Sequence, residues 1–167
     1  QFLSVPVAAQ RSPTSSGGVI DLDSRYFGGD ARWRHDTSLA GQPLRVTAGI
    51  SYARQNQHRR GRENFIGDRL GVNGALRRDE QDDVYNIDQY AEAIWRLTPR
   101  WSLSAGARHS QVRFRVADDY VTAGNPDDSG RVAYSATSPV AGILFRADAN
   151  WHLYAAYGQG FETPTFN

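Results

Sequence analysis

The 167-residue sequence contains no cysteine and no methionine. Without cysteine there is no disulfide scaffold and no thiolate metal site. That absence is compatible with an oxidising compartment such as the periplasm. No charge of either sign is in excess, since lysine plus arginine number 19 and aspartate plus glutamate 18. A general nucleic-acid binder carries a basic surplus, so that class is disfavoured. No stretch approaches the ~20 consecutive apolar residues of a membrane helix. The mildly apolar opening, Gln1 to Ala9, lacks the basic start and long apolar run of a signal peptide. With glutamine in first place, the chain is expected to be processed or an internal piece.

Catalytic constellations are missing as well. His35, His58, His109 and His152 have no partner at metal-ligand spacing. His35 and His109 are expected near strand ends. There is no Gly-x-Ser-x-Gly elbow and no phosphate-cradling glycine loop. Asn125-Pro-Asp-Asp-Ser-Gly130 lacks the spacing and distal glutamate of an EF-hand and reads as a turn in an exposed loop. The expectation is a protein that is not an enzyme, with no metal site and no cofactor.

What is present is strand periodicity. Sixteen glycines with 8 tyrosines, 7 phenylalanines and 4 tryptophans suit a β-protein. From Leu44, alternate residues are Leu44, Val46, Ala48, Ile50 and Tyr52, opposed by Arg45, Thr47, Gly49, Ser51 and Ala53. A strand separates these sets onto two faces, whereas a helix scatters them. Trp101, Leu103, Ala105 and Ala107 likewise oppose Ser102, Ser104, Gly106 and Arg108. Trp151, Leu153, Ala155 and Tyr157 oppose His152, Tyr154, Ala156 and Gly158. Ile87, Ala91, Ala93, Trp95 and Leu97 oppose Asn86, Asp88, Tyr90, Glu92 and Arg96, with Gln89 interrupting the apolar row. Phe27, Gly29, Ala31 and Trp33 oppose Tyr26, Asp30, Arg32 and Arg34. In the strand around Ser138 to Phe145 the facing is ambiguous, and Pro139, Ala141, Ile143 and Phe145 are assigned to the apolar side.

The connections alternate in length. Leu39–Pro43, Thr98–Arg100 and Ala147–Asn150 are short and rich in turn formers. Gln55–Asp83 and about Ala117–Arg131 are long and polar, and are expected to be loops. Short turns on one side and long loops on the other are the layout of outer-membrane barrels. The tryptophans lie at or near the short turns, where an interfacial aromatic girdle falls. The pattern therefore indicates an all-β, antiparallel up-and-down meander forming part of a large transmembrane β-barrel. A complete small β-barrel or a soluble β-sandwich binding protein stays open as the alternative, because soluble strands also alternate.

The segment Leu153-Tyr-Ala-Ala-Tyr-Gly-Gln-Gly-Phe-Glu-Thr-Pro-Thr-Phe-Asn167 resembles a barrel strand and following loop of TonB-dependent ferric-siderophore receptors. Ser138-Pro139-Val-Ala-Gly142-Ile-Leu-Phe145 precedes it at that family's spacing, and Trp101-Ser-Leu-Ser-Ala-Gly106-Ala-Arg108, Tyr90-Ala91-Glu92 and Ala48-Gly49-Ile50-Ser51-Tyr52 are similar to further strands of the same series. Val140 departs from it, standing where the family often has a basic residue.

The resemblance implies a fragment, residues 1–167, of an outer-membrane receptor that imports an iron–siderophore complex, with about six or seven strands and no plug domain. Its implied partners are a ferric siderophore or similar iron chelate, outer-membrane lipid, and the plug and TonB of the full-length protein. The implied location is the outer membrane of a Gram-negative bacterium. Candidate ligand contacts are Arg54, Arg59, Arg60 and Arg62 with Phe65 in one expected loop and Tyr120 in the next. Guanidinium forks bind carboxylate and catecholate oxygens, and the rings add aromatic contact. Arg32, Arg34, Arg45, Glu92 and Arg108 are expected to face the plug or neighbouring strands. An excised wall segment leaves open edges and a lipid-directed apolar face, so its ordered state is expected to be oligomeric or detergent-dependent.

Overall fold

The computed structural model describes residues 1–163, so Pro164 to Asn167, the end of the family-like run, lie outside the described residues. A short helix, α1 (Val7–Gln10), precedes eight strands: β1 (Val19–Leu39), β2 (Gln42–Arg62), β3 (Phe65–Ile66), β4 (Arg69–Leu70), β5 (Leu76–Trp95), β6 (Trp101–Asp118), β7 (Gly130–Arg146) and β8 (His152–Gly158). Six of them form one sheet in the order β1-β2-β5-β6-β7-β8, and β3 with β4 makes a separate two-stranded ladder. Within the six-stranded sheet each strand pairs with the next of its members along the chain, which is an up-and-down meander.

Local chemistry sets the short turns. Between β1 and β2 the chain reverses over Ala40 and Gly41, both at positive φ (52° and 74°). Two consecutive positive φ values define the type I′ turn, whose twist matches that of paired strands. The next short turns use side chains. Thr98 Oγ1 accepts the N–H groups of Arg100 (3.2 Å) and Trp101 (3.0 Å). Asp148 Oδ1 accepts those of Asn150 (2.7 Å) and Trp151 (2.9 Å). In each case a tryptophan opens the returning segment, its backbone fixed by the turn.

The two faces of the strands follow the alternation. Trp101 and Phe145 have ring centroids 4.4 Å apart. Arg146 Nη1 donates to Ser102 Oγ at 3.0 Å. Phe145 therefore shares the apolar face of Trp101, and Arg146 the polar face of Ser102, which settles the facing of β7 as assigned from sequence. The β7–β8 register pairs Phe145 with Leu153, Ile143 with Ala155 and Ala141 with Tyr157, so the apolar rows stand side by side.

The long polar stretches differ from expectation. Gln55 to Arg62 is not loop but the continuation of β2, and Leu76 to Asp83 already belongs to β5. Only residues 63–75 connect them, and β6 and β7 likewise leave only 119–129 between them. Arg54, Arg59, Arg60 and Arg62 thus sit on a strand. Alternation reports one apolar face. Where both faces are polar a strand persists without that signal, held by its ladder and by cross-strand pairs such as Arg54 with Asp83 and His58 with Asp79 (2.6 Å). His109 also departs from its expected place at a strand end and lies in the middle of β6.

The described residues cluster into two compact units. The first comprises Gln1–Phe27, Arg54–Tyr85 and Arg113–Val132, and the second begins with Gly28–Ala53 and Asn86–Val112 and takes in the chain from Ala133. The buried hydrophobic residues Val19, Phe65 and Phe114 all belong to the first. There Gln10, fully buried, donates to Val5 O (2.7 Å) and Asn64 Oδ1 (2.8 Å) and accepts from Asn64 N (3.0 Å). Asn64 Nδ2 in turn donates to Leu3 O, so the N-terminal segment is fastened over the β2–β3 connection. The second unit holds none of the buried hydrophobic residues among the described residues. Its large apolar side chains lie open instead, with Trp33 57 %, Leu153 60 % and Trp151 69 % exposed.

Candidate functional site

The second unit carries a satisfied polar cluster on the face opposite its apolar rows. Asp88 on β5 is almost fully buried. Its Oδ2 accepts from Arg108 Nη2 (2.7 Å), Asn86 Nδ2 (3.0 Å) and Ser51 Oγ (3.4 Å). A carboxylate so placed needs a cation and further donors to repay its desolvation, and Arg108 on the neighbouring β6 supplies the charge. The Arg108 side chain itself remains 57 % exposed, so part of it faces open space. Beside this cluster lies a cavity of about 460 Å³ lined by Asp30, Ser51, Tyr90, Glu92, Arg108 and Ser138. Tyr90 lies across Gly49, where a Cβ would stand 2.5 Å from the ring. The glycine lets the aromatic ring rest on the β2 backbone.

Nearer the short turns, Asp36 accepts from Arg45 Nε (2.6 Å) and lies 3.5 Å from Arg34 Nε. Arg34, Arg45 and Arg108 thus engage carboxylates on their own or adjoining strands. Asp88 and Asp36 were the partners missing from the sequence reading. The available signal was alternation itself, since Asp88 falls in the same row as Asn86 and Tyr90.

In the first unit the candidate ligand residues separate. Arg54 pairs with Asp83, its Nε 2.9 Å from Oδ1, and Arg60 Nη2 lies 3.6 Å from Asp21 Oδ2. On β2 both belong to the row that continues Leu44, Val46, Ala48, Ile50 and Tyr52, as does Arg62. Arg59 lies in the opposite row, with Ser51 and Gly49, and its charge acts on Asp82 of β5. Phe65 on β3 is buried, with the Arg11 guanidinium 5.6 Å from its ring centroid. Its ring is covered by the N-terminal segment. Tyr120 lies in the 119–129 connection, where its N–H donates to Asp118 Oδ1 (2.9 Å) and its carbonyl accepts from Asn125 Nδ2 (2.8 Å). The arginines are therefore not one cluster, and Arg59 stands apart from Arg54, Arg60 and Arg62. Close to that connection a smaller cavity of about 170 Å³ is lined by Thr14, Ser16, Arg78, Glu80, Asp118 and Asn125. Arg78 and Glu80 had been counted as loop residues, because a strand polar on both sides hides its period. Among the described residues no group of three or more His, Asp or Glu side chains could hold a metal.

Comparison with known proteins gives a consistent result. The family described as TonB dependent receptor-like, beta-barrel, matches residues 5–167. A rhizobactin receptor of Rhizobium meliloti (strain 1021) is 29% identical over 94 residues, covering 49% of this chain and 13% of that protein. The crystal structure of the ferric citrate transporter FecA in its unliganded form matches with a TM-score of 0.71 at 16% identity, over 83% of this chain and 20% of that one. The chain thus spans no more than a fifth of the length of either. At that identity the second likeness speaks for fold alone.

Proposed function

Since the chain belongs to the TonB-dependent receptor β-barrel family, we propose that it forms part of the wall of an outer-membrane receptor that takes up an iron–siderophore complex. The observation that carries this is the two-faced strand: an open apolar row on one side and the Asp88–Arg108 cluster with its cavity on the other. An apolar row bare to the outside suits lipid, and a paired polar row suits a wet or plugged lumen. On this reading Arg108, Glu92 and Asp30 meet the plug, and TonB drives plug rearrangement after the chelate binds. The polar row of the first unit, with Arg59, Arg78 and Glu80, lines the route by which an anionic chelate arrives. The name of the rhizobactin receptor suggests the substrate class, an iron chelate. Guanidinium forks recognise carboxylates where such a chelate presents them.

Deleting the gene and measuring iron uptake from a panel of ferric chelates tests the reading. Loss of uptake from at least one carboxylate-bearing chelate, restored by the gene in trans, is expected. Unchanged uptake across the panel, or a protein absent from the outer-membrane fraction, overturns it.

A further inference from the structure

Within the first unit the 63–75 connection is pinned at both of its ends. Where it begins, the Gln10 amide closes on Asn64. Gln10 Oε1 accepts from Asn64 N (3.0 Å), Gln10 Nε2 donates to Asn64 Oδ1 (2.8 Å), and Asn64 Nδ2 donates to Leu3 O (3.1 Å). Gln10 is fully buried, so this clasp is shielded from competing water. Asn64 O in turn accepts from Gly71 N (2.8 Å) and Val72 N (3.3 Å). Where the connection ends, Glu63 N donates to Ala75 O (2.9 Å) and Glu63 O accepts from Gly74 N (2.8 Å). Packing demands a glycine at that point, because a Cβ on Gly74 would stand 2.2 Å from Phe65 O. The residue before it is an exposed asparagine, Asn73, and the two form the one Asn–Gly pair in the sequence.

We propose that Asn73 is a site of spontaneous deamidation and backbone isomerisation, and that the Gln10–Asn64 clasp gates the reaction. The nucleophile is Gly74 N. It loses its proton to water and bonds to Asn73 Cγ, the Cγ–Nδ2 bond breaks, and the amide leaves as ammonia with a proton taken from water. The cyclic imide then adds one water and opens at either carbonyl, giving aspartate or isoaspartate. Water is the sole co-reactant. Glycine leaves its nitrogen unhindered and its backbone free to swing toward Cγ. In the folded chain the hydrogen on that nitrogen is held by Glu63 O, and the ring cannot close until the turn opens. An opening of this kind has its own free energy, well below that of global unfolding, and the contacts that pin the segment set it. The pair is therefore reactive by its chemistry and guarded by the fold. The change runs one way. Isoaspartate adds a carbon to the main chain, so the bonds of Glu63 to Gly74 and Ala75 no longer fit in register, and the new carboxylate adds charge to a connection that already holds Glu63.

The test ages the full-length protein, folded in nanodiscs, at mildly alkaline pH and follows Asn73 by peptide mapping that resolves isoaspartate from aspartate. A synthetic peptide spanning Gly71 to Leu76 supplies the unguarded rate. The native protein is expected to react more slowly than the peptide by roughly tenfold or more, since the hydrogen bonds of Glu63 to Gly74 and Ala75 must break first. Gln10→Ala takes two partners from Asn64 and is expected to raise the rate in the folded protein by roughly fivefold or more. Hydrogen exchange at the Gly74 amide reads the same opening without the chemistry. In the native protein its protection should match the slowing of deamidation, which keeps the gate testable if Gln10→Ala does not fold. A native rate equal to the peptide's overturns the gate, and so does slow deamidation beside an unprotected Gly74 amide. Aspartate without isoaspartate overturns the cyclic route. A folded Gln10→Ala protein that reacts and exchanges at the native rate overturns the role of the clasp.

Discussion

The two units are built from the same strands by different rules. In the second, one face is apolar and bare and the other is polar and paired. In the first, charge occupies both faces, and the few buried apolar side chains, Val19, Phe65 and Phe114, are found there. Strand geometry is common to both, so geometry does not account for the difference. On the outer-membrane reading proposed above, the medium each is made for does. A backbone ladder satisfies its own polar groups anywhere, while side chains must suit what lies beyond them. An apolar row with Leu153 at 60 % exposure is a defect in water and a requirement in lipid. Ion pairs such as Arg54–Asp83 are the reverse.

Placing one residue type in both regions gives the largest expected effect. Ala48→Arg puts a guanidinium in the apolar row of β2, and such a charge near the bilayer midplane costs about 2–4 kcal/mol. Gln81→Arg sets the same group in the Asp83 row of β5, where Gln81 Nε2 already donates to Asp119 Oδ2 at 3.0 Å. A surface change of that kind should stay within about 0.5 kcal/mol. Urea titration of the full-length protein in bilayers, followed by tryptophan fluorescence, reads both. Comparable losses would erase the distinction between the units.

A second test addresses the polar face of the same unit. Asp88→Ala strips the acceptor from Arg108, Asn86 and Ser51. Leaving those donors without their partner should cost about 1–3 kcal/mol. Asp88→Ala with Arg108→Ala should lose less than the two single changes added together, because the pair acts as a unit. Strict additivity in the same titration would mean that the contact carries no coupling. A smaller effect is expected at Gly49. A Cβ there would press on the Tyr90 ring, so Gly49→Ala should cost about 1 kcal/mol, in the range of ordinary single-site losses. Pairing it with Tyr90→Ala should recover most of that. A loss unchanged by the Tyr90 substitution would show that the ring is not what excludes the methyl group.

How far the sequence foretold this divides along the same line. Rows from Leu44 to Tyr52 and from Trp101 to Ala107 were legible because a half-apolar strand writes a period of two into its sequence. The facing of β7 was ambiguous in the sequence, and the contacts of Phe145 with Trp101 and of Arg146 with Ser102 decide it. Arg54 to Arg62 and Leu76 to Asp83 were not legible, because with charge on both faces the period vanishes and the stretch looks like loop. The buried fate of Phe65 was equally hidden, since it depends on Arg11, Gln10 and Asn64, which are far from one another in the chain or nondescript in composition. Which row each candidate arginine occupies is a matter of register, and that required the strand to be seen as a strand.

The smallest expected effect comes from acid and belongs to the first unit. Asp83 lies beyond the apolar rows, and the hydrogen bonds and charge of Arg54 hold its carboxyl below the ordinary carboxylate value of 3.8. A carboxyl depressed in the folded state lends stability that is fully present above the unfolded value. That stability is lost as pH falls from there through the folded value. The pair is partly exposed, with 39 % and 27 % of the two side chains open, so solvent screening limits it to about 0.2–1 kcal/mol. Native-state hydrogen exchange of the β2 and β5 amides near Arg54 and Asp83 should thus be steady from pH 7 to 5, once corrected for intrinsic rates. Protection should fall below about pH 4, where carboxylates begin to protonate. Asp83→Asn should show the weaker protection at every pH and lose that part of the acid response. The amides of Ala141 to Phe145 in β7, a strand with no carboxylate of its own, should not follow it. If they fall in step, the two units melt as one and the contrast drawn between them does not extend to their stability.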